Sequence, residues 1–380
     1  MNICSARLRK GSGFLVLGSY IFLAFLACEH SSSHQVDQAV VTRSGPEQET
    51  PVKPKGVEHL FTIGDDTTEI LYNVTSMAVH SDSVTRLYVL DSGVHRLKLF
   101  DASGKLAAAV GSRGKGPGEF RNPTFLACVD DQVIVSEQFS PRAHLFTLDL
   151  EYLRDLNLEV VPVDLSTVSD SLLLVATVYP KPELSLQVGV FSLDRPGFKF
   201  WNLPTLELPK ELAQGSTNPS SRLLWFFASV AGRGERVWIA YHFFNQLWCA
   251  QDGRVIWQKS FDNLPSRADV SEGTASLVPS TLLFKDVTTD RAGNGYVLLG
   301  GSAGESGSRV YVLNENGDHI DTLVLPYRAR ALQWAQPDRL YAVASDRIRI
   351  HVYRLTTSRV SSPGPQSAES TEHFSERRGR

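Results

Sequence analysis

The feature that most constrains the fold is a run of three short apolar strands between residues 87 and 123, separated by tight turns. The strands are LYVLD (87–91), RLKLFD (96–101) and KLAAAVG (105–111), and the turns between them contain Ser, Gly and Asp. Strands this short, punctuated this closely, predict a meander of antiparallel hairpins. A chain built from such units has to bury their apolar faces against one another.

The strand LYVLD returns along the chain in five weaker copies. They begin at residues 132, 171, 236, 295 and 339, so that the intervals from residue 87 onwards are 45, 39, 65, 59 and 44 residues. Most copies have an apolar strand before them and a partner strand after them. Six units of four strands predict an all-β fold, the six-bladed β-propeller with four-stranded antiparallel blades.

The last unit lacks an outer strand, because the apolar pattern stops at Leu355 and a polar segment follows. The first unit has a surplus apolar stretch before it, VEHLFTIGDD at residues 57–66. We therefore predict that this N-terminal strand completes the last blade and closes the ring. The predicted propeller spans residues 57–357.

Both ends of the chain differ in composition from the repeats. Residues 1–27 have a basic start and an apolar middle, which predicts a secretory signal. The sequence FLAC, which ends at Cys28, resembles a bacterial lipobox and implies a lipid anchor on that thiol, and hence a cell-envelope membrane lipoprotein. An uncleaved signal anchor is the alternative. Residues 28–56 are predicted to be a flexible tether and residues 358–380 a disordered tail.

The clearest unit resembles an NHL repeat. The positions that match are Asp91, Ser92, Gly93, His95, Arg96, Phe100, Asp101, Gly104, Gly114, Gly118, Phe120 and Pro123. The resemblance implies a six-bladed propeller lipoprotein of the kind found in bacteria. Arg96 lies across the hairpin from Asp91, and an exposed ion pair between them is expected to contribute at most ~1 kcal/mol.

Charge and motifs favour neither nucleic-acid binding nor a recognisable catalytic site. The net charge is −3, from 38 basic and 41 acidic residues, which offers no electrostatic attraction to nucleic acid. The four cysteines show no metal or redox spacing, and no cofactor is predicted. The motif GESGS (304–308) lacks the strand–turn–helix context of a nucleophile elbow, so no catalytic residue is assigned. A monomer is expected.

Several carboxylates fall near the ends of predicted inner strands, namely Asp91, Glu137, Asp286 and Asp346. Some six-bladed propellers resembling the gluconolactonases bind a divalent metal in the central channel through carboxylate and Asn side chains. Convergence of these residues would therefore support a propeller hydrolase or lyase. Turn and strand-end roles are the alternative interpretation.

The predicted fourth blade is unusually rich in aromatic residues. Tyr241, His242, Phe243, Phe244 and Asn245 fall at a predicted hairpin tip, where two adjacent Phe side chains cannot both point inward. Exposed aromatic rings beside a polar group suit sugar rings or a protein partner. Packing between blades is the alternative.

Three basic residues, Arg113, Lys115 and Arg121, lie in a predicted loop beside the second blade. A basic rim at that place would steer an anionic ligand. Together these features predict non-catalytic recognition of an envelope protein or glycan by propeller loops. The alternative is a hydrolase or lyase with a divalent metal in the channel.

Overall fold

The computed structural model describes residues 55–65, 69–82, 84–169, 172–179, 185–194, 197–214, 219–273, 276–301 and 307–356. The predicted signal sequence, the lipidation site Cys28, nearly all of the tether and the predicted tail lie outside these residues. Most of the GESGS motif also lies outside them.

The described residues form a ring of six sheets, each with four antiparallel strands. The first three blades contain β2 (Val74–Ser81), β3 (Thr85–Asp91), β4 (Arg96–Phe100), β5 (Leu106–Val110), β6 (Pro123–Val129), β7 (Gln132–Glu137), β8 (Arg142–Thr147), β9 (Tyr152–Asn157), β10 (Asp164–Ser169), β11 (Leu172–Tyr179), β12 (Ser185–Ser192) and β13 (Phe198–Phe200). The last three contain β14 (Ala228–Arg233), β15 (Arg236–Tyr241), β16 (Leu247–Gln251), β17 (Arg254–Lys259), β20 (Phe284–Thr289), β21 (Gly295–Leu299), β22 (Arg309–Leu313), β23 (His319–Val324), β24 (Ala329–Ala335), β25 (Arg339–Ala344), β26 (Ile350–Leu355) and β1 (Val57–Ile63). The predicted six-bladed propeller is confirmed.

The ring closes as the sequence predicted. Strand β1 pairs antiparallel with β26, from Val57 opposite Leu355 to Ile63 opposite Ile350. The sheet order β1-β26-β25-β24 makes the N-terminal strand the outer strand of the sixth blade. The two ends of the described chain are thereby held in one sheet, which locks the blades into a closed circle.

The two long intervals between repeats, of 65 and 59 residues, contain short elements outside the blades. Helices α1 (Lys210–Gln214) and α2 (Pro219–Leu224) precede the fourth blade. The hairpin of β18 (Val270–Gly273) and β19 (Ser276–Pro279) precedes the fifth, and α2 packs on β19. Neither described helix is long and apolar enough to cross a membrane.

A buried ion pair fixes the first blade, and its partner differs from the one expected. Asp91 is fully buried, and Lys98 Nζ lies 3.2 Å from Asp91 Oδ2. The Asp91 carboxylate also accepts the backbone N–H groups of Tyr72 and Asn73, at 3.1 and 2.9 Å. Arg96 is exposed, so the expected ion pair was wrong in its cation. Asp91 therefore anchors the link that leads from β1 into the first blade.

The Gly-rich link GSRGKGPGEF folds tightly between the first and second blades. Gly111 has φ +95°, and a Cβ at this position would lie 2.4 Å from the ring of Phe120, which is fully buried. Only glycine suits both the left-handed conformation and this close approach. The link is therefore a structural connection between blades.

Candidate functional site

The six inner strands, β2, β6, β10, β14, β20 and β24, surround a central channel. They contact one another around the ring and enclose a cavity of about 540 Å³. Because every blade begins with its inner strand, all six run through the ring in the same direction. Residues at the start of these strands therefore meet at one end of the channel, which we call the mouth.

The polar residues at the mouth include six from the third to sixth blades, and we call these six the mouth cluster. Five come from the first positions of inner strands, and His242 comes from the segment that follows β15. The members are Asp164, Ser229, His242, Lys285, Asp286 and Arg330. They belong to the third, fourth, fifth and sixth blades, so the cluster forms only when the ring is assembled.

The two carboxylates of the mouth cluster connect neighbouring blades. Asp164 Oδ2 accepts the N–H of Val230 on the next inner strand at 2.8 Å. Asp286 Oδ2 accepts the N–H of Leu332, again on the next inner strand, at 2.7 Å. Each side chain thus satisfies a backbone donor that no strand partner reaches, which explains an acidic residue at this depth.

The environment disfavours the charged form of both carboxyl groups. Burial raises the pKa of Asp164 well above its usual range, and the neighbouring negative charge of Asp286 raises it further. Burial raises the pKa of Asp286 to about 6 against opposing hydrogen bonds from Leu332 and Val287. Both side chains keep some contact with the channel although they lie deep in the ring. Such perturbed groups beside a cavity are typical of functional sites.

Ser229 and His242 form a hydrogen-bonded pair beside Asp286. Ser229 Oγ lies 3.0 Å from His242 Nε2, and both residues are buried. Burial lowers the pKa of His242 to about 4, and the positive charge of Arg330 lowers it further. The imidazole is therefore neutral at neutral pH. Its Nδ1 has no hydrogen-bond partner among the described residues.

This pair has the wrong arrangement for a serine nucleophile. A catalytic triad needs a carboxylate at the second nitrogen of the histidine, and a base whose pKa is near the working pH. Here the hydrogen bond of Ser229 acts on the Asp286 carboxyl, whose pKa it lowers, and His242 is too weak a base. The pair is better suited to binding a polar group than to activating a nucleophile.

The predicted aromatic tip of the fourth blade is buried. Tyr241, His242, Phe243, Phe244 and Asn245 are 2–8% exposed. The rings of Phe243 and Phe244 pack on Trp225, with centroid separations of 6.0 and 5.7 Å. Trp225 is the residue that directly follows α2. The prediction of exposed aromatic rings was wrong, because the insertion before this blade folds over the tip. His242 alone of the five lines the channel.

The three predicted basic residues are exposed in the link between β5 and β6. Arg121 donates to the buried Glu137, with Nη2 3.1 Å from Oε2, while Arg113 and Lys115 face solvent. None of the three lines the channel cavity. A ligand-binding role for them stays a prediction.

The carboxylates considered as channel metal ligands do not converge. Asp91 pairs with Lys98, Glu137 with Arg121 and Asp346 with Arg349. Asp286 is the one of the four that lines the channel. Within the part of the chain that the structure describes, no group of three or more His, Cys, Asp or Glu side chains is arranged to hold a metal ion.

Sequence reasoning missed Asp164, Ser229, Lys285 and Arg330. All four stand on inner strands, whose apolar residues served only to count the blades. The stretches VDLSTV (163–168) and KDVTT (285–289) both place an Asp two or three residues before a Thr. Superposing the inner strands of the six units would have brought Asp164 and Asp286 to equivalent positions.

Replacing Asp286 with Asn is expected to alter how stability depends on pH. The folded-state pKa, about 6, exceeds the unfolded value of 3.8. The contribution of Asp286 is therefore fully present below pH 3.8 and is lost as pH rises through 6. The free energy of unfolding of Asp286→Asn minus that of wild type should increase by on the order of 2 kcal/mol from pH 4.5 to pH 8.

Urea denaturation of both proteins at the two pH values measures this difference. The comparison with wild type is needed because His242 and His351, whose pKa values burial lowers to about 4, give the opposite pH slope. An equal stability difference at both pH values would contradict the prediction.

Comparisons with known proteins agree on the fold. The DUF5128 family model, described as a 6-bladed beta-propeller, matches residues 69–177. A member of the duf4221 family from Bacteroides vulgatus has a TM-score of 0.53 at 12% identity, covering 82% of this chain and 100% of that one.

Two further structures are similar at lower scores, and no curated protein matches. A gluconolactonase from Xanthomonas campestris has a TM-score of 0.47 at 13% identity, with 83% of this chain and 99% of that chain covered. Streptogramin B lyase has a TM-score of 0.46 at 9% identity, with 73% and 78% covered. The six four-stranded sheets and the match to the DUF5128 model together show that this chain is an all-β six-bladed propeller.

Proposed function

We propose that this protein is a non-catalytic recognition protein of the bacterial cell envelope that binds a small polar ligand at the mouth cluster. The observation that carries the proposal is a set of ionisable side chains with shifted pKa values, the partly buried Asp164 and Asp286 and the buried His242, gathered beside Lys285 and Arg330 on one cavity. A small sugar or other polar molecule fits this chemistry, as does the polar end of an envelope glycan.

The free energy of burying these groups supports a binding role. A deeply placed carboxyl whose pKa is raised to about 6 reduces stability at neutral pH, because the ionised form loses solvation. An apolar or hydroxyl side chain would avoid this loss. Retaining two such carboxyls at the mouth is what a site tuned for ligand binding requires.

The envelope location rests on the predicted lipobox, and the described fold gives it a geometric consequence. Thr356 donates to Gly56 O at 2.9 Å, and Leu355 donates to Asp338 O, in the turn that follows β24, at 2.8 Å. A tether that joins the ring at Gly56 therefore attaches at the face opposite the mouth. With Cys28 lipidated, the mouth would point away from the membrane.

Labelling with palmitate tests the anchor. The wild-type protein should incorporate the label when it is expressed in a bacterial host, and Cys28→Ser should not. Label that persists in the variant would refute the lipoprotein assignment. The resemblance to NHL-repeat lipoproteins stands on residues 87–126 and is part of this proposal.

Blocking the mouth tests the binding function. The small-molecule fraction of an envelope extract should raise the melting temperature of the wild type by several degrees, because a ligand bound only to the native state stabilises it. Ser229→Phe should remove this shift, since the aromatic ring would fill the mouth beside His242. Ser112→Phe, in the exposed link between β5 and β6, is the matched control and should keep it.

The milder Lys285→Ala replaces Ser229→Phe if the larger side chain prevents folding. A shift of equal size in wild type and the mouth variants would place the binding site elsewhere. The hydrolase or lyase alternative stays a prediction, and no described side-chain arrangement favours it over binding.

A further inference from the structure

We propose that the ligand of the mouth cluster is a small hydroxy acid, with its carboxylate held by Lys285 and Arg330 and its hydroxyl groups at Ser229 and His242. This inference rests on the proposed function and narrows it from a polar molecule to an organic anion. It is supported by the positions of the hydrogen-bond donors, the hydrogen-bond acceptors and the charged side chains at the mouth.

The cations lie together on one side of the mouth. Lys285 stands on β20 and Arg330 on β24, and both residues line the channel and are partly exposed. Lys285 Nζ lies 3.5 Å from the carbonyl oxygen of Ala329, which immediately precedes Arg330. The charge of Arg330 also acts on His242 and Asp286, which places it within the cluster. Two cations from neighbouring blades form a pair that suits a carboxylate.

The acidic side chains of the mouth direct their oxygens at the wall. Asp164 Oδ1 and Oδ2 accept the N–H groups of Leu165 and Val230, at 2.9 and 2.8 Å. Asp286 Oδ1 and Oδ2 accept those of Val287 and Leu332, at 2.8 and 2.7 Å. All four oxygens therefore accept a backbone hydrogen bond, whereas the ammonium of Lys285 and the guanidinium of Arg330 can only donate. Donors and positive charge select an anion.

Two neutral polar groups complete the site. Ser229 offers a hydroxyl, and the neutral imidazole of His242 has one nitrogen without a partner among the described residues. Groups of this kind bind hydroxyls, because each both donates and accepts. A simple fatty acid would offer no hydrogen-bond partner to His242 Nδ1, which is unfavourable in a buried site. Hydroxyl groups on the ligand therefore accompany the carboxylate.

The charges around the mouth make binding proton-linked. Within the described ranges, the titratable and charged groups that face it are Asp164 from β10, His242 from the segment after β15, Lys285 and Asp286 from β20, and Arg330 from β24. The remaining charged lining residues, among them Asp82, Asp130, Asp131 and Arg233, lie at the other end of the channel. A bound anion favours protonated Asp286, so binding takes up a proton. Affinity should weaken as pH rises through about 6.

Calorimetric titration with D-glycerate tests the inference, with glycerol as the uncharged counterpart and inorganic phosphate as an anion without the carbon skeleton. The dissociation constant for glycerate should be about tenfold lower at pH 5.5 than at pH 7.5, a factor that a single linked proton can supply. Asp286→Asn should remove most of this pH dependence. Lys285→Met and Arg330→Met should each weaken binding by about tenfold or more, the typical loss for a charge-assisted hydrogen bond.

Controls separate the inference from the function on which it rests. Arg254→Met removes an exposed cation on β17, outside the channel, and should leave the affinity for glycerate unchanged. Each variant must keep a cooperative melting transition. Glycerol binding as tightly as glycerate, or phosphate binding more tightly, would overturn the hydroxy-acid assignment. So would failure of glycerate to bind when the envelope extract still stabilises the wild type; absence of both effects would overturn the proposed function itself.

Discussion

Deleting the closing strand, residues 57–63, should lower the free energy of unfolding by about 5 kcal/mol or more, whereas deleting residues 29–54, most of the predicted tether, should leave it unchanged. Buried apolar side chains contribute roughly 1.5–3 kcal/mol each. Strand β1 supplies two that are almost fully buried, Val57 and Ile63, together with the partly buried Leu60 and Phe61. Their loss alone accounts for the expected effect.

The pairing of β1 adds to the loss. Without β1, the backbone of β26 becomes an exposed edge, and Tyr353 and Ile350, both fully buried, lose their cover. The strand also connects the sixth blade to the first, because the ring of Phe61 lies 2.6 Å from where a Cβ on Gly104 would stand. Removing it therefore opens the ring at its only point of closure among the described blades.

Urea denaturation, followed by tryptophan fluorescence, measures both deletions against the unmodified chain without its first 28 residues. The matched control is Phe61→Ala, which keeps the strand and removes one contact, and should fall between the two deletions. Equal denaturation midpoints for the two deletions would show that β1 does not hold the ring together.

The ring and its closure were predictable because they depend on local patterns that repeat. The turns after LYVLD and RLKLFD set the hairpins, and six copies of the same unit average out weak signals. The surplus apolar stretch at residues 57–66 and the missing outer strand after Leu355 pointed to the same blade. Because the local strand and turn patterns and the closure of the ring require the same arrangement, this part of the structure could be predicted.

The aromatic tip was misjudged because burial there depends on a distant segment. Alternation along β15 gives no sign that Trp225 will pack on Phe243 and Phe244. The insertion that carries Trp225 has little periodicity, so its position over the fourth blade could not be inferred. His242 was predicted to bind a ligand because it stands beside aromatic residues that were expected to be exposed. In the structure it instead contacts Ser229 at the channel.

The mouth cluster could not be predicted either, because it too depends on contacts between distant segments. Asp164 and Asp286 are separated by 122 residues in sequence, taken as the difference of their numbers, and only ring closure brings them near one another. No motif spans such a distance. Polar residues at the starts of inner strands also look like ordinary strand boundaries. The pKa values of Asp164 and Asp286 are raised because the two carboxyl groups lie deep within the ring.

Replacing Asp91 with Ala should destabilise the protein by about 3–5 kcal/mol, the usual result of removing one partner of a buried ion pair. The substitution leaves the ammonium of Lys98, a residue only 6% exposed, with a weaker set of partners. These are Glu69 Oε1 at 3.4 Å and the Ile70 carbonyl oxygen at 2.7 Å. It also frees the N–H groups of Tyr72 and Asn73, which Asp91 accepts.

A double-mutant cycle with Lys98→Met separates the ion pair from the backbone contacts. If the buried charge dominates, Asp91→Ala combined with Lys98→Met should be less destabilised than the sum of the single variants by at least ~1 kcal/mol. The matched control is the exposed pair of Glu58 and Arg354, also on a strand pair, with Oε2 and Nη1 2.9 Å apart. Its disruption should change stability by at most ~1 kcal/mol, since water and salt screen exposed charges. If disrupting the pair of Asp91 and Lys98 cost no more stability than disrupting the pair of Glu58 and Arg354, Asp91 would act only as an acceptor for the backbone N–H groups of Tyr72 and Asn73. In that case Asp91→Asn, which retains an oxygen for Asn73, should restore most of the lost stability, and the buried charge would have no part in holding the first blade.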